Sequence, residues 1–182
     1  MMPTTEVYSM KKLSIGLAMF LLFFGSAQAQ THSERLDQLS RVLTDKIGID
    51  MPGWNHRSVV PIEGSKDVIV DQWEAGNVIV RVTVIEYDSE GSAAGALKDF
   101  RIRLQGEEVA ASARKKKLRL IKGDLPELAD GGFIWDARPS DAVAFRKKDL
   151  LMFVSVTGPR EYNDTALSRL FAQRVADVLV AQ

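Results

Sequence analysis

Two histidines, a set of aspartates and one run of basic residues are the side chains through which this chain could do chemistry. His56 stands in Trp54-Asn55-His56-Arg57. It is the histidine that a serine–histidine–aspartate relay would need, because His32 falls near the N-terminus, where order is usually poor. No nucleophile-elbow sequence accompanies it. Two separated histidines in a chain without cysteine cannot supply the three or four ligands of an ordinary zinc site. His56 is therefore expected to be an ordinary loop residue. Asp124, Glu127, Asp130, Asp136 and Asp141 crowd around a glycine-bearing loop. Paired carboxylates can act as acid and base or hold a hard cation, but this spacing matches no EF-hand. Arg114, Lys115, Lys116 and Lys117 form the single basic run, with Arg119 and Lys122 nearby. Such a run suits an anionic surface or an acidic partner, and equally a solvated face or a charged edge strand. Trp54, Trp73 and Trp135 are aromatic anchors available to a binding groove, although its neighbours Ile134 and Asp136 on a strand favour a core place for Trp135. These residues assign no catalytic group, no cofactor and no metal ligand. The candidate partner surface is Trp54, His56 and the run Arg114, Lys115, Lys116, Lys117.

The N-terminus is more informative. Lys11 and Lys12 precede an apolar run from Leu13 to Phe24, and Ala27 and Ala29 then form a small-x-small cleavage site. The run is shorter than the roughly 20 residues that span a bilayer. A cleavable signal peptide over residues 1–29 is expected, with Gln30 as the first mature residue, and Met10 offers an alternative start. No cysteine follows that could carry a lipid anchor. The expected product is a periplasmic or secreted domain of residues 30–182, without stable membrane insertion. Cleavage would remove Lys11, Lys12 and Glu6 from a balance of 24 basic and 24 acidic residues. The near-neutral remainder argues against an obligatory nucleic-acid partner. The lack of cysteine rules out thiol catalysis and disulfide staples, so stability must come from the core.

The elements that would position these residues follow from periodicity. Leu36, Leu39, Leu43 and Ile47 predict a helix over 33–48, capped by Ser33 and stopped by Gly48 and Pro52. Residues 49–66 read as a connection. Strands are predicted over 67–74 and 77–87 around an Ala75-Gly76 turn, with Val78, Val80, Val82 and Val84 facing a core. The other face, with Ile79, Arg81, Thr83, Ile85, Leu151 and Phe153, is expected to lie under the first helix. A second helix over 89–105 is capped by Asp88 or Ser89 and buries Ala93, Leu97, Phe100 and Leu104. Its Gly91 and Gly95 are expected to pack closely on the sheet. A possible strand at 118–121, a loop over 122–132, strands near 132–137, 141–146 and 149–157, and a helix over 163–181 complete the chain. Asn77 to Val84 aligns with Asp149 to Val156, which suggests two related ββα halves. The expected class is α+β, a mostly antiparallel sheet of about five strands with helices packed on it, in the order α-ββ-α-(β)βββ-α.

Leu125 to Asp130, Phe133-Ile134-Trp135 and Val143 to Asp149 together resemble small exported bacterial α+β domains of uncharacterised function. In those domains a Gly-Asp-x-Ala turn and an Arg-x-Gly-Asn hairpin precede the last strand and helix. Here Ala129 replaces the first glycine and Lys148-Asp149 replaces Gly-Asn. The resemblance covers about the last 60 residues and implies a fold and an envelope setting, with no activity. The expected role is a non-catalytic exported module that binds a protein or an envelope component. The alternatives are a carboxylate-dependent hydrolase and a structural subunit of an envelope oligomer.

Overall fold

A computed structural model describes residues 33–59, 67–114, 116, 118–137, 141–159 and 165–180. Its elements run α1 (Glu34–Asp50), β1 (Asn55–Val59), β2 (Val68–Ala75), β3 (Val78–Glu86), α2 (Glu90–Ala113), β4 (Ile121–Leu125), β5 (Gly132–Asp136), β6 (Asp141–Lys147), β7 (Leu150–Thr157) and α3 (Thr165–Val180). The strands form one antiparallel sheet in the order β1-β2-β3-β7-β6-β5-β4. The class is α+β. The chain builds three strands inward from one edge, crosses to the other edge through α2, and meanders back until β7 pairs with β3.

The valine phase of β3 decides which face is the main core. Val78, Val80, Val82 and Val84 are buried and stand beside Leu150, Met152, Val154 and Val156 of β7, because register partners share a face. Leu36, Leu39, Leu43 and Ile47 of α1, and Phe171, Val175 and Val178 of α3, close this face. Ser33 caps α1 by accepting from Leu36 N at 3.2 Å, and Ser89 caps α2 by accepting from Ser92 N at 3.1 Å.

Several expectations are corrected. The sheet has seven strands instead of about five, because β1 lies in the segment read as a connection and β4 occupies 121–125, starting at the last residue of the possible strand at 118–121 and running into the segment read as loop. Both are edge strands formed by pairing with β2 and β5; β1 is mostly polar, and a bulge between Ile121 and Gly123 sends Ile121 and Leu125 of β4 to opposite core clusters, so neither carries a simple apolar alternation to read. Helix α1 runs through Gly48 to Asp50, since one glycine costs only about 1 kcal/mol and buried Ile47 holds the turn. Helix α2 continues to Ala113, where alanines favour helix and the Glu108 carboxylate accepts from Leu120 N and Ile121 N. The second sheet face lies under α2, which packs on β4, β6 and β7, while α1 sits on the main core face with β1, β2 and α3. There Phe100 meets Phe133, Trp135 and Phe153 with ring centroids 5.1–5.8 Å apart. The two ββα halves are alike in their hairpins only, because α2 and α3 lie on opposite faces.

Candidate functional site

The polar residues of the main core face gather where α1 crosses β1 and β2. In β2 the inward phase reads Ile69, Asp71, Trp73, which places a carboxylate among core side chains at 1 % exposure. Such a group must be paired, because burying a bare charge is costly. His56 supplies the partner from β1, with Nε2 2.8 Å from Asp71 Oδ1. Ser40 Oγ of α1 donates to the same oxygen at 3.0 Å. Thr44 Oγ1 donates to the Ser40 carbonyl at 2.8 Å, so its 3.3 Å contact with His56 Nε2 is one that it accepts. Nε2 therefore carries a hydrogen shared between Asp71 and Thr44. The His56 ring also lies 5.1 Å from that of Trp73.

This arrangement is built for holding and not for nucleophilic attack. A catalytic relay sets the carboxylate on one imidazole nitrogen and the nucleophile on the other. Here both partners meet the same nitrogen, and the Ser40 hydroxyl is spent on the carboxylate. Chemically, the cluster joins β1 to β2 and α1 to the sheet. His56 is thus a strand residue and not a loop residue. Asp71 escaped the sequence reading, although a polar residue on the buried phase of a strand was the available signal.

Asp124, Asp130 and Asp141 of the acidic set have separate partners. Asp124 pairs with Arg101. Asp141 is buried, pairs with Lys122 Nζ and accepts from Thr165 Oγ1, tying β6 to the start of α3. Asp130 accepts from Lys148 N at 2.6 Å and Lys147 Nζ at 3.1 Å. Burial pushes its carboxyl up, but these two donors outweigh that and hold it below the usual range. Its neighbours Ala129 and Lys148 are at φ 52° and 51°, left-handed conformations that residues other than glycine rarely adopt. A further cluster sits at the start of α1. Arg35 is bidentate to Asp149, with Nη2 to Oδ1 at 2.9 Å, and also reaches Glu86 at 2.7 Å. The Arg35 hydrogen bond holds the Asp149 carboxyl well below its ordinary range, and Asp149 in turn raises the guanidinium. Among the described residues, no group of three or more histidine, aspartate or glutamate side chains could hold a metal ion.

The expected partner residues are not brought together. Trp54 packs edge-on against Phe171 at 4.9 Å, half-buried at the margin of the main core. Arg114 is exposed at the C-cap of α2 and Lys116 is exposed just beyond it, where cations favour the negative end of a helix. Lys115 and Lys117, and the cleavage residues Ala27, Ala29 and Gln30, lie outside the described residues. Among the described residues, no helix is long and apolar enough to cross a membrane. A depression of about 280 Å³ between the β4–β5 turn and α3 has an apolar floor of Leu125, Leu128 and Leu170, with Glu127 and Arg169 on its rim.

The remaining surface is the part of the second sheet face beyond α2. On β1, β2 and β3 the residues of this phase include Val59, Val70, Thr83 and Ile85, all half-buried. One row along, Arg57, Gln72 and Arg81 stand side by side across the three strands, and Arg81 Nε donates to Gln72 Oε1 at 2.8 Å. Both arginines are exposed. An apolar strip beside two guanidinium groups can receive apolar side chains and a carboxylate together. Comparison with protein-family models, with curated proteins and with solved structures finds no match to this chain.

Proposed function

We propose that this chain is an exported, non-catalytic domain that binds a protein segment of the cell envelope across the β1–β3 half of its second sheet face. The single observation that carries the reading is the strip Val59, Val70, Thr83 and Ile85 beside Arg57 and Arg81, on the half of the sheet beyond the strands that α2 packs on. Contiguous apolar surface with a charged border marks interaction sites more often than bare solvent. The arginines select a segment carrying carboxylates. Export rests on Lys11, Lys12, the Leu13–Phe24 run and the alanines before Gln30. The hydrolase reading has less support, since the Asp130 and Asp141 carboxylates are each committed to cations and to a neighbouring turn or helix.

Photo-crosslinking from position 83 in intact cells tests the binding surface. The expected result is one specific protein adduct that disappears when Arg57→Glu and Arg81→Glu are combined. Absence of any specific adduct, or an adduct indifferent to both changes, would reject the reading. Intact mass of the protein from the same cells tests export, with a chain starting at Gln30 expected and retention of residues 13–24 counting against it.

A further inference from the structure

The sheet ends in two edge strands, β1 and β4, and they are finished differently. An edge presents unpaired N–H and C=O groups that can template a further strand. At β4 the ladder with β5 is broken by a bulge between Ile121 and Gly123, and Lys122 stands exposed at the break. The Glu108 carboxylate of α2 also takes up Leu120 N and Ile121 N there. Helix α2 reaches this side of the sheet by its apolar stripe and not by its glycines. The expectation that Gly91 and Gly95 pack on the sheet is corrected, since a Cβ at Gly95 would meet nothing within 4 Å and at Gly91 only Ser89 Oγ at 3.8 Å. Among the described residues β1 has no such guard. It contains no proline, and its register with β2 is unbroken from Asn55 to Val59.

The phase of the ladder decides which backbone groups of β1 face outward. Glu86 N donates to the Asp67 carbonyl at 2.8 Å, and Tyr87 N donates to the Asp149 carbonyl at 2.9 Å. Bonded pairs alternate along antiparallel strands, so the odd-numbered residues of β2 bond β3 and the even-numbered ones bond β1. Through the register, Asn55, Arg57 and Val59 are the bonded residues of β1. The N–H and C=O groups of His56 and Ser58 therefore point away from the sheet, and among the described residues none of them has a partner.

We infer that the bound protein segment adds to this edge as a further strand, antiparallel to β1, exchanging backbone hydrogen bonds with His56 and Ser58. The inference rests on the binding proposed above for this half of the sheet. The added strand anchors the segment, and the chain beyond it lies on the strip of Val70, Thr83 and Ile85. Side chains fix the sequence that fits. Residues of the segment opposite Arg57 and Val59 would fall on the same face as these two, extending the rows Arg57, Gln72, Arg81 and Val59, Val70, Thr83. Arg57 is exposed and has no carboxylate partner among the described residues. An acidic residue therefore belongs opposite Arg57 and an apolar one opposite Val59. Because the strands are antiparallel, the apolar residue comes two positions before the acidic one.

Amide hydrogen exchange tests this on the protein as recovered from its producing cells, with the acetylated and amidated peptide Thr-Thr-Val-Thr-Glu-Thr-Thr as probe. Near saturation the His56 and Ser58 amides should slow at least about fivefold, while those of Arg57 and Val59, already bonded to β2, should change little. Arg57→Glu should weaken the probe at least about fivefold, and exchanging the probe's glutamate for lysine should restore binding to that variant. The reversed order Thr-Thr-Glu-Thr-Val-Thr-Thr should bind more weakly. Ser58→Pro removes one outward N–H and spares the bonds to β2, so binding should be lost while the other strand amides stay protected. N-methylation of the probe at the threonine between valine and glutamate should abolish binding with the protein unaltered. Failure of the probe to bind up to about 10 mM, His56 and Ser58 amides that do not change in the complex, or a reversed peptide that binds equally well would each overturn the added strand. If the crosslink from position 83 persists in any of these cases, binding on the face stands and the edge pairing alone fails.

Discussion

His56 and Asp71 show at the scale of single residues how this fold handles a charge in its core. Asp71 is almost fully buried, so removing His56 leaves an acceptor without its principal donor. His56→Ala is expected to lower stability by roughly 2–3 kcal/mol, above the mean for a neutral hydrogen bond. In urea titrations the double variant with Asp71→Ala should lose clearly less than the sum of the two single losses, because each removes the same interaction. Additive losses would show that the pair is uncoupled. Asp149 carries the pH-dependent counterpart. Its carboxyl is held low by Arg35, so its contribution is complete above the ordinary carboxylate value of about 4 and is lost as pH falls through the folded-state value. The stability gap between wild type and Arg35→Gln should therefore narrow as pH is lowered from about 6 toward 2. A gap that stays constant over that range would contradict this origin.

At the scale of elements, turns and helix faces are set by different forces. Ala129 and Lys148 hold left-handed backbone without being glycine, and Asp130 binds the two turns through Lys147 and the Lys148 amide. Lys148→Gly keeps that amide and relieves the Cβ, so it should stabilise by about 1 kcal/mol, read as a raised Tm. Gly132 marks the opposite case. A Cβ there would come within 2.6 Å of Phe145 Cβ and against the Ala144 carbonyl, so its bareness is required by β6. The helices were legible from their apolar stripes because burial enforces the 3.6-residue period. Their ends were less so. Gly48 and the segment after Gln105 look like stops, and only local contacts at Ile47 and Glu108 carry the helices further.

For the whole molecule, the central seam is the β3–β7 pair, which joins strands far apart in the chain. Neither half can complete its core alone, since Val80, Val82 and Val84 take Val156, Val154 and Met152 as neighbours. A fragment of residues 30–117 should therefore be unfolded by circular dichroism and should gain structure when mixed with residues 118–182. A fragment that folds alone would show that the seam is dispensable.

Sequence by itself determined the class, the three helices, the inward valine phase of β3 and the cap Ser33, and narrowed the second cap to Asp88 or Ser89, because each depends on neighbours a few residues away. The chemistry-bearing residues that opened the reading were visible only as a list. Tertiary structure decided that His56 belongs to a strand and serves Asp71, that Asp124, Asp130 and Asp141 answer separate cations, and that residues 55–59 and 121–125 become edge strands. It also decided which face α2 covers. Those outcomes depend on pairing between distant segments, and a strand defined by its partner, or a charge defined by what is buried around it, leaves no periodic trace in its own residues.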